Sequence, residues 1–291
     1  MRSQRSVLRR IPGFLKSQPM LNGPHASSPP DPNGTIPERQ ALDPHTALGG
    51  KTALITGAAR RVGAAIARTL HRAGANVVLH YRSSSENAAE LMRELNGARL
   101  GSAVLAKCDL LEMSQLQALA QTGVHAFGRL DILVNNASTF YPTVVGNITE
   151  VGWDDLIGTN LKAPLFLAQA TAPALRASSG LILNIADIHA MRPLRRYPVY
   201  SVAKAGLVML TKSLARELGP SIRVNAIAPG MVMWSDDELD EDLREMIVDR
   251  TALKRPGSSE DVARAALFFA TQAPYITGQV LAVDGGRSVR C

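Results

Sequence analysis

The fold of this 291-residue chain is decided by residues 52–63, which read Thr-Ala-Leu-Ile-Thr-Gly-Ala-Ala-Arg-Arg-Val-Gly. An apolar run of strand character ends in a glycine-containing turn, and residues 63–73 continue with helical periodicity. Gly57 permits the tight turn, and Gly63 permits close packing of the helix on the strand. Because a helix N-terminus after such a turn binds phosphate groups, the stretch predicts a dinucleotide site.

The same alternation of strand and helix continues toward the C-terminus. Most apolar runs are continuous for four to seven residues, as expected for strands that helices cover on both faces. They predict strands at Thr52–Thr56, Asn76–Tyr81, Ala103–Lys107, Ile132–Asn135, Leu181–Ala186, Arg223–Ala228 and Val280–Val283. Helices are predicted near residues 63–73, 86–96, 114–127, 153–177, 198–218 and 259–271. The pattern predicts an α/β fold, a Rossmann-type doubly wound parallel sheet of about seven strands in a single domain at residues 49–291.

Local signals mark some helix ends. Ser83 and Glu86 have the spacing of a capping box for the second helix. Gly74 and Gly219 stand where the first and fifth helices are expected to stop.

Residues 1–48 differ from the rest, since they hold eight of the seventeen prolines. This composition predicts a disordered N-terminal extension. Five basic residues precede the first acid, Asp31, which is compatible with a mitochondrial transit peptide, but Pro12 and Gly13 would break a targeting helix early. We therefore predict a cytoplasmic protein, with mitochondrial import as the alternative.

Composition narrows the classes of function. No apolar run approaches the roughly 18 residues of a membrane span. The formal charge is +7, part of which comes from the N-terminal extension, and no basic patch interleaved with aromatic residues indicates nucleic-acid binding. Cys108 and Cys291 provide neither a disulfide framework nor a metal cluster. Cys108 lies in an apolar stretch and is predicted to be a buried core thiol.

The residues around the second strand indicate which dinucleotide binds. Arg61 replaces the middle glycine of the usual turn, and the second strand ends in Arg82-Ser83-Ser84 without an acid to hold a ribose 2′-hydroxyl. These side chains suit a 2′-phosphate, so NADPH is favoured over NADH. The alternative is that the arginines are solvated loop charges.

Two further segments follow strands at the carboxyl edge of the sheet, where ligands bind in such folds. Asp109, which Leu110 follows, could contact an adenine amino group, or it could be an ordinary turn acid. Asn135 begins an Asn-Asn-Ala sequence, and its side chain could serve the cofactor, tie strands together, or do some of each.

Tyr200 and Lys204 lie four residues apart on a predicted helix and therefore share a face. A nearby ammonium group lowers a phenol pKa, which would let Tyr200 transfer protons near neutral pH. Asp187 stands thirteen residues before the tyrosine. Together with the dinucleotide turn, this set predicts hydride transfer.

From about Lys51 to Arg287 the chain resembles the short-chain dehydrogenase/reductase superfamily. The resemblance rests on Thr-Gly-x3-Arg-x-Gly, Asn-Asn-Ala, Tyr-x3-Lys, Pro229-Gly230 and Val-Asp-Gly-Gly at residues 283–286, which occur in that order. Within the superfamily the chain is most similar to the pteridine reductases. Three features carry this: Arg61, residues 135–142 (Asn-Asn-Ala-Ser-Thr-Phe-Tyr-Pro), and Asp187 in place of the usual catalytic serine.

The resemblance implies an NADPH-dependent reductase of pterins, with dihydrofolate as a further candidate substrate, that forms a homotetramer through helices 153–177 and 198–218. The implied catalytic residues are Asp187, Tyr200, Lys204 and Asn160, with Asn160 keeping a water near the lysine. The implied cofactor residues are Gly57, Arg61, Val62, Arg82, Ser83, Asp109, Leu110, Asn135, Ala137, Lys204, Pro229 and Gly230. The implied substrate residues are Ser138, Phe140, Asp187 and Tyr200, with Phe140 stacked on the pterin. No metal is implied.

Two alternatives stay open at this point. The chain could be a carbonyl reductase, such as a 3-oxoacyl thioester reductase, or a nucleotide-sensing member without catalysis. Residues 231–252 match the family least, and the acids at 236–242 with Trp234 predict a mobile lid helix over the substrate.

Overall fold

The computed structural model describes residues 46–232, Glu245 and residues 248–289. Nearly all of the predicted extension, as well as Trp234 and the acids at 236–242, lies outside these residues. Leu48, which we assigned to the extension, is buried, and its N–H donates to the carbonyl of Ala73 at 2.8 Å. In the described part of the chain, no helix has the length and apolar character needed to cross a membrane.

The described residues form one seven-stranded sheet with the order β3-β2-β1-β4-β5-β6-β7, in which every neighbouring pair is parallel. The strands are β1 Thr52–Ile55, β2 Asn76–Tyr81, β3 Ala103–Lys107, β4 Ile132–Asn135, β5 Leu181–Ile185, β6 Arg223–Pro229 and β7 Val280–Val283. The strand order reverses direction between β1 and β4. In open α/β sheets this point forms a crevice at the carboxyl ends of the strands, where ligands bind.

Helices cover both faces of the sheet. They are α1 Arg61–Arg72, α2 Ser85–Ala98, α3 Met113–His125, α4 Glu150–Ile157, α5 Ala163–Ala177, α6 Pro198–Leu218 and α7 Ser259–Thr271. A π-helical turn, Gly158–Lys162, joins α4 to α5, and a 3₁₀ turn, Ile188–Ala190, follows β5. The predicted seven-stranded doubly wound fold is confirmed.

The core consists of two layers, one on each face of the sheet. Successive strand residues point to opposite faces, so Ile55 packs with Leu70 of α1 and Phe269 of α7, whereas Leu54 packs with Leu116 and Leu167 on the other side. Full burial of a leucine or isoleucine contributes about 1.5–3 kcal/mol. Because both faces are covered, the strands are apolar throughout instead of alternating.

Two local predictions were wrong. The single helix expected at residues 153–177 is α4, the π-helical turn and α5 in succession. The capping box at Ser83–Glu86 does not form, because α2 begins after Ser84, which makes no side-chain capping bond. The structure instead has a capping box at Ser258 and Asp261, at the start of α7.

Candidate active site

A cleft of ≈ 490 Å³ lies at the carboxyl edge of the sheet, at the point between β1 and β4 where the strand order reverses direction. The turn after β1, the end of β2 and the segment after β3 form one arm. The segments after β4, β5 and β6, together with α6, form the other. The lining includes nearly all of the predicted site residues: Gly57, Arg61, Val62, Arg82, Ser83, Asp109, Leu110, Ala137, Ser138, Phe140, Asp187, Tyr200, Lys204, Pro229 and Gly230.

The glycine-rich turn has the geometry that its sequence predicts. Gly57 has φ +62°, a conformation that favours glycine, and a Cβ on Gly63 would lie 2.2 Å from the carbonyl oxygen of Gly57. Arg61, which replaces the middle glycine, also has a positive φ of 51°. A left-handed conformation costs a non-glycine residue about 1–2 kcal/mol, so Arg61 is retained there against a local backbone cost.

Two neighbours hold the turn in place. The hydroxyl of Thr56 accepts from the backbone N–H groups of Asn136 and Ala137 at 2.9 and 3.0 Å. The Asn136 amide donates in return to the carbonyls of Thr56 and Gly57 at 2.8 and 3.1 Å. Asn136 is therefore the residue of the Asn-Asn-Ala sequence that binds the turn to the segment after β4.

Asn135 is placed differently. Its side chain is buried and donates to Asn184 of β5 at 2.8 Å, while Asn184 donates to Thr211 of α6 at 2.9 Å. The amide therefore ties strands and helix together, as one of the two roles considered for it requires. Asn135 is not among the residues that line the cleft, and a direct role for it in cofactor binding stays a prediction.

His80 is a site residue that sequence reasoning missed. Its Nδ1 accepts from the backbone N–H of Gly57 at 3.0 Å, and its Nε2 lies 3.1 Å from the carbonyl oxygen of Cys108. Burial lowers the pKa of His80 to about 4. The signal available in the sequence was a histidine within an otherwise apolar strand.

Two residues after β3 bear on other predictions. Cys108 is buried, as predicted for a core thiol, and burial raises the pKa of its thiol to about 11. Asp109 lines the cleft and also accepts from the N–H of Leu111 at 3.0 Å. It thus has the turn contact that we considered as the alternative to binding adenine.

The catalytic candidates meet at the inner end of the cleft. The Tyr200 hydroxyl donates to Asp187 Oδ2 at 2.7 Å, although Asp187 follows β5 and Tyr200 is on α6. The other carboxylate oxygen, Oδ1, accepts from the N–H of His189 at 2.8 Å. Asp187 thus caps the 3₁₀ turn and contacts the tyrosine at the same time.

The expectation that Lys204 lowers the pKa of Tyr200 was wrong. Burial and the charge of the adjacent Asp187 raise the pKa of Tyr200 well above its ordinary value, and Ser138 opposes this only weakly. The ammonium of Lys204 lies 5.7 Å from the centre of the tyrosine ring. With the Asp187 carboxylate at hydrogen-bond distance, Tyr200 is a neutral phenol that donates to it.

Lys204 is fully buried below the tyrosine. Its Nζ donates to the carbonyl oxygen of Ile185 at 2.9 Å, and burial lowers its pKa to about 8, which the charge of Asp187 only partly offsets. An ammonium group has three N–H donors. This is the one hydrogen bond of Lys204 found within the described part of the chain, so two donors remain to face a ligand.

The π-helical turn sets the position of Asn160. Its amide donates to the carbonyls of Leu156 and Thr139 at 2.9 and 3.0 Å, and its Oδ1 accepts from the Ser138 hydroxyl at 2.6 Å. Single π-helical turns occur frequently at functional sites. The side chain of Asn160 holds the segment that carries Ser138 and Phe140, and its predicted role in keeping a water stays a prediction.

Phe140 stands at the open side of the cleft with 53% of its surface exposed. Its ring stacks on Tyr197 with centres 4.6 Å apart and planes inclined by 11°. It also meets Tyr200 edge to face at 4.8 Å. The partly exposed ring therefore lies beside Tyr200, and its predicted role in stacking on a substrate stays a prediction.

The residues of the cleft fit a nicotinamide dinucleotide. The glycine-rich turn packs closely because Gly57 and Gly63 lack a Cβ, which would collide with atoms of Asn136, Ala137 and Gly57. The first turn of α1 contains no acidic residue to repel phosphate. The buried hydroxyl of Thr159, which lines the cleft, has no hydrogen-bond partner among the residues that the structure describes. The cleft thus joins a phosphate cradle to a Tyr-Lys-Asp set.

Comparison with known proteins agrees with this geometry. A family profile described as Enoyl-(Acyl carrier protein) reductase matches residues 57–288. A 3-oxoacyl-(acyl-carrier-protein) reductase FabG of Staphylococcus aureus is 37% identical over 241 residues, which cover 81% of this chain and 97% of the relative. Pteridine reductase 1 of Leishmania tarentolae is 36% identical over 280 residues, covering 81% of this chain and 96% of the relative.

A third relative, a short-chain type dehydrogenase/reductase of Picea abies, is 35% identical over 254 residues, covering 82% of this chain and 93% of the relative. The profile match includes the glycine-rich turn from Gly57 onward and the Tyr-Lys pair. The chain therefore belongs to the short-chain dehydrogenase/reductase family of oxidoreductases, whose members use NAD(P)H.

Proposed function

We propose that the protein is an NADPH-dependent pteridine reductase, which reduces C=N bonds of biopterin or a dihydropterin, with dihydrofolate as a further candidate substrate. The observation that carries this proposal is the 2.7 Å hydrogen bond between Tyr200 and Asp187 at the inner end of the cleft. A carboxyl group at this position suits a substrate whose reacting atom is a nitrogen.

The two kinds of substrate differ in the atom that must be protonated. Reduction of a carbonyl needs donors for a developing oxyanion, for which hydroxyl groups suffice. Reduction of a ring C=N bond needs a proton at nitrogen. Asp187, hydrogen-bonded to the Tyr200 hydroxyl through Oδ2, can pass a proton taken up from water to a ring nitrogen placed against it, so the pair forms a proton relay.

Lys204, beside Tyr200, is assigned to cofactor binding. When bound, the reduced nicotinamide supplies the hydride. The two remaining N–H donors of Lys204 can hold a ribose hydroxyl. Asn160 and Ser138 keep the neighbouring segment in position.

The shape of the cleft also suits a flat bicyclic substrate. Phe140 exposes half of its ring beside Tyr200, and its other face is stacked on Tyr197. A pterin between Phe140 and the nicotinamide would gain about 0.5–1.5 kcal/mol from stacking beyond the burial of its surface. An aliphatic thioester would gain no such stacking energy.

We attribute the preference for NADPH to side chains of the turn after β1 and of the end of β2. Arg61, Arg82 and Ser83 line this arm. Together they supply guanidinium and hydroxyl donors for a 2′-phosphate. The residues directly after β2 include no acid that would bind the ribose 2′-hydroxyl of NADH.

Assembly as a homotetramer is part of the proposal. Large apolar side chains are exposed along the outer faces of α4, α5 and α6: Val151, Trp153, Leu165, Val202 and Met209. Apolar surface of this kind on neighbouring helices supports self-association. Light scattering is expected to give four times the chain mass, and a monomer mass would remove this part of the proposal.

The second candidate is a 3-oxoacyl thioester reductase. It is favoured by the similarity to a 3-oxoacyl-(acyl-carrier-protein) reductase, which is as high as that to a pteridine reductase. The two candidates differ in what Asp187 must do, since a carbonyl substrate does not need a carboxyl proton donor.

The experiment follows NADPH oxidation at saturating cofactor with biopterin, dihydrobiopterin, dihydrofolate and an acetoacetyl thioester. The pterins are expected to turn over and the thioester to be poor. Asp187→Asn keeps the shape of the side chain but removes its acid, so pterin turnover should fall by about 10²–10⁴. Asp154→Asn, the same change at an exposed acid of α4, is the control. Turnover of the thioester alone would establish the second candidate.

A further inference from the structure

His80 lies at the end of β2, in the arm of the cleft that the turn after β1, the end of β2 and the segment after β3 form, which we call the phosphate arm. The N–H of Gly57 can only donate, so the Nδ1 that it contacts at 3.0 Å must be unprotonated. In a neutral ring the proton then lies on Nε2 and is donated to the Cys108 carbonyl at 3.1 Å. One ring therefore joins the glycine-rich turn after β1 to the segment after β3.

We propose that His80, as the neutral tautomer protonated on Nε2, is a positioning residue that sets the conformation of the glycine-rich turn and thereby the affinity for nicotinamide dinucleotides. This inference does not depend on which substrate is reduced.

The turn needs such a support because its conformation is unusual. Gly57 has φ +62°, and the turn must direct the first N–H groups of α1 toward a phosphate. Asn136 and Thr56 hold the turn on the β4 side through four bonds. His80 supplies the corresponding contact on the β2 side, where it satisfies the N–H of Gly57 itself.

The surroundings of the ring keep it neutral. His80 is 2% exposed, and burial is the largest influence on its pKa, which it lowers to about 4. The Cys108 carbonyl and the charge of Asp109 act in the opposite direction and are weaker.

Two substitutions separate the two hydrogen bonds. In His80→Asn the amide oxygen occupies the place of Nδ1 and can accept from Gly57. In His80→Gln the amide nitrogen reaches the place of Nε2 and can donate to Cys108, but no acceptor faces Gly57. The dissociation constant of NADPH and of NADH, measured by nucleotide fluorescence, compares the two variants.

We expect His80→Gln to weaken both nucleotides by about tenfold, and His80→Asn to stay within about threefold of the natural protein. Equal weakening of NADPH and NADH distinguishes the turn from a 2′-phosphate contact. No effect of His80→Gln, or equal weakening by the two variants, would overturn the proposal.

His71 provides the matched control, because it is also buried and hydrogen-bonded, with Nε2 2.6 Å from the Ser102 hydroxyl. It lies ten residues after Arg61 on α1, about 15 Å from the cleft. His71→Gln should leave both dissociation constants unchanged.

A measurement on the natural protein keeps the proposal testable if a variant does not fold. The ¹⁵N resonances of the His80 ring should show a proton on Nε2 and none on Nδ1 between about pH 6 and 8. A proton on Nδ1 would contradict the proposal, since Gly57 could then not donate to it.

Discussion

The hydroxyl of Tyr200 donates to Oδ2 of Asp187 at 2.7 Å, and the carboxylate is held in that position by a second bond from the N–H of His189. The aspartate is thereby both a cap of a 3₁₀ turn and a partner of the tyrosine. The contact places an acid next to a phenol whose pKa burial raises.

Arg82→Ala tests the choice of cofactor. If Arg82 binds the 2′-phosphate, its loss should raise the KM for NADPH by about 10- to 100-fold, since a charge-assisted contact contributes about 1.5–3 kcal/mol. The KM for NADH should change little. Steady-state kinetics with both cofactors measures this. Arg93→Ala, at an exposed position of α2, is the control, and equal changes for both cofactors would argue against the contact.

Arg61→Gly should separate stability from binding. Arg61 has φ 51°, so glycine should stabilise the fold by up to about 1 kcal/mol, the relief of a left-handed residue. The same change removes a guanidinium from the phosphate arm and should weaken NADPH. Urea unfolding and NADPH titration measure the two effects. A loss of stability together with unchanged binding would contradict the role given to Arg61.

The pH dependence of reduction should report Lys204. Burial lowers its pKa to about 8, so the ammonium is charged below that pH and lost above it. We expect kcat/KM for pterin reduction to be level below pH 8 and to fall about tenfold per pH unit above it. In Lys204→Arg the guanidinium stays protonated, so this fall should disappear at a lower overall activity. A level profile up to pH 10 in the natural protein would contradict the assignment.

Phe140→Leu tests stacking on the substrate. Leucine keeps most of the apolar surface but loses the aromatic face, so the KM for pterins should rise about 2- to 10-fold. The KM for NADPH should stay unchanged, because Phe140 stands on the substrate side beside Tyr200. Kinetics at saturating NADPH provides the measurement. A raised KM for NADPH with an unchanged KM for pterins would place the ring elsewhere.

Much of the fold could be predicted because the strands are covered on both faces and thus appear as continuous apolar runs. The limits of α6 and α7 agree with the prediction, as do those of four strands. The π-helical turn at Gly158–Lys162 could not be predicted, because such a turn leaves the apolar pattern of α4 and α5 almost unchanged. The capping box at Ser83 was wrong because its spacing alone does not fix where α2 begins.

The candidate site was predicted where residue type dictates chemistry, as for Tyr200, Lys204 and Asp187. The pKa of Tyr200 was not, because its direction depends on burial and on the distance to Asp187, neither of which spacing reveals. His80 was missed for a similar reason. Its role comes from a neighbour across the sheet edge, Gly57, which lies 23 residues away in sequence.

The central claim is that Asp187 makes this chain a pterin reductase instead of a carbonyl reductase. The most direct test is the ratio of kcat/KM for biopterin to that for an acetoacetyl thioester, measured with NADPH in the natural protein and in Asp187→Ser. We expect the ratio to favour biopterin and to fall by at least about 100-fold in the variant, the contribution of a positioned proton donor. A ratio that the substitution leaves unchanged, or that favours the thioester in the natural protein, would contradict the account.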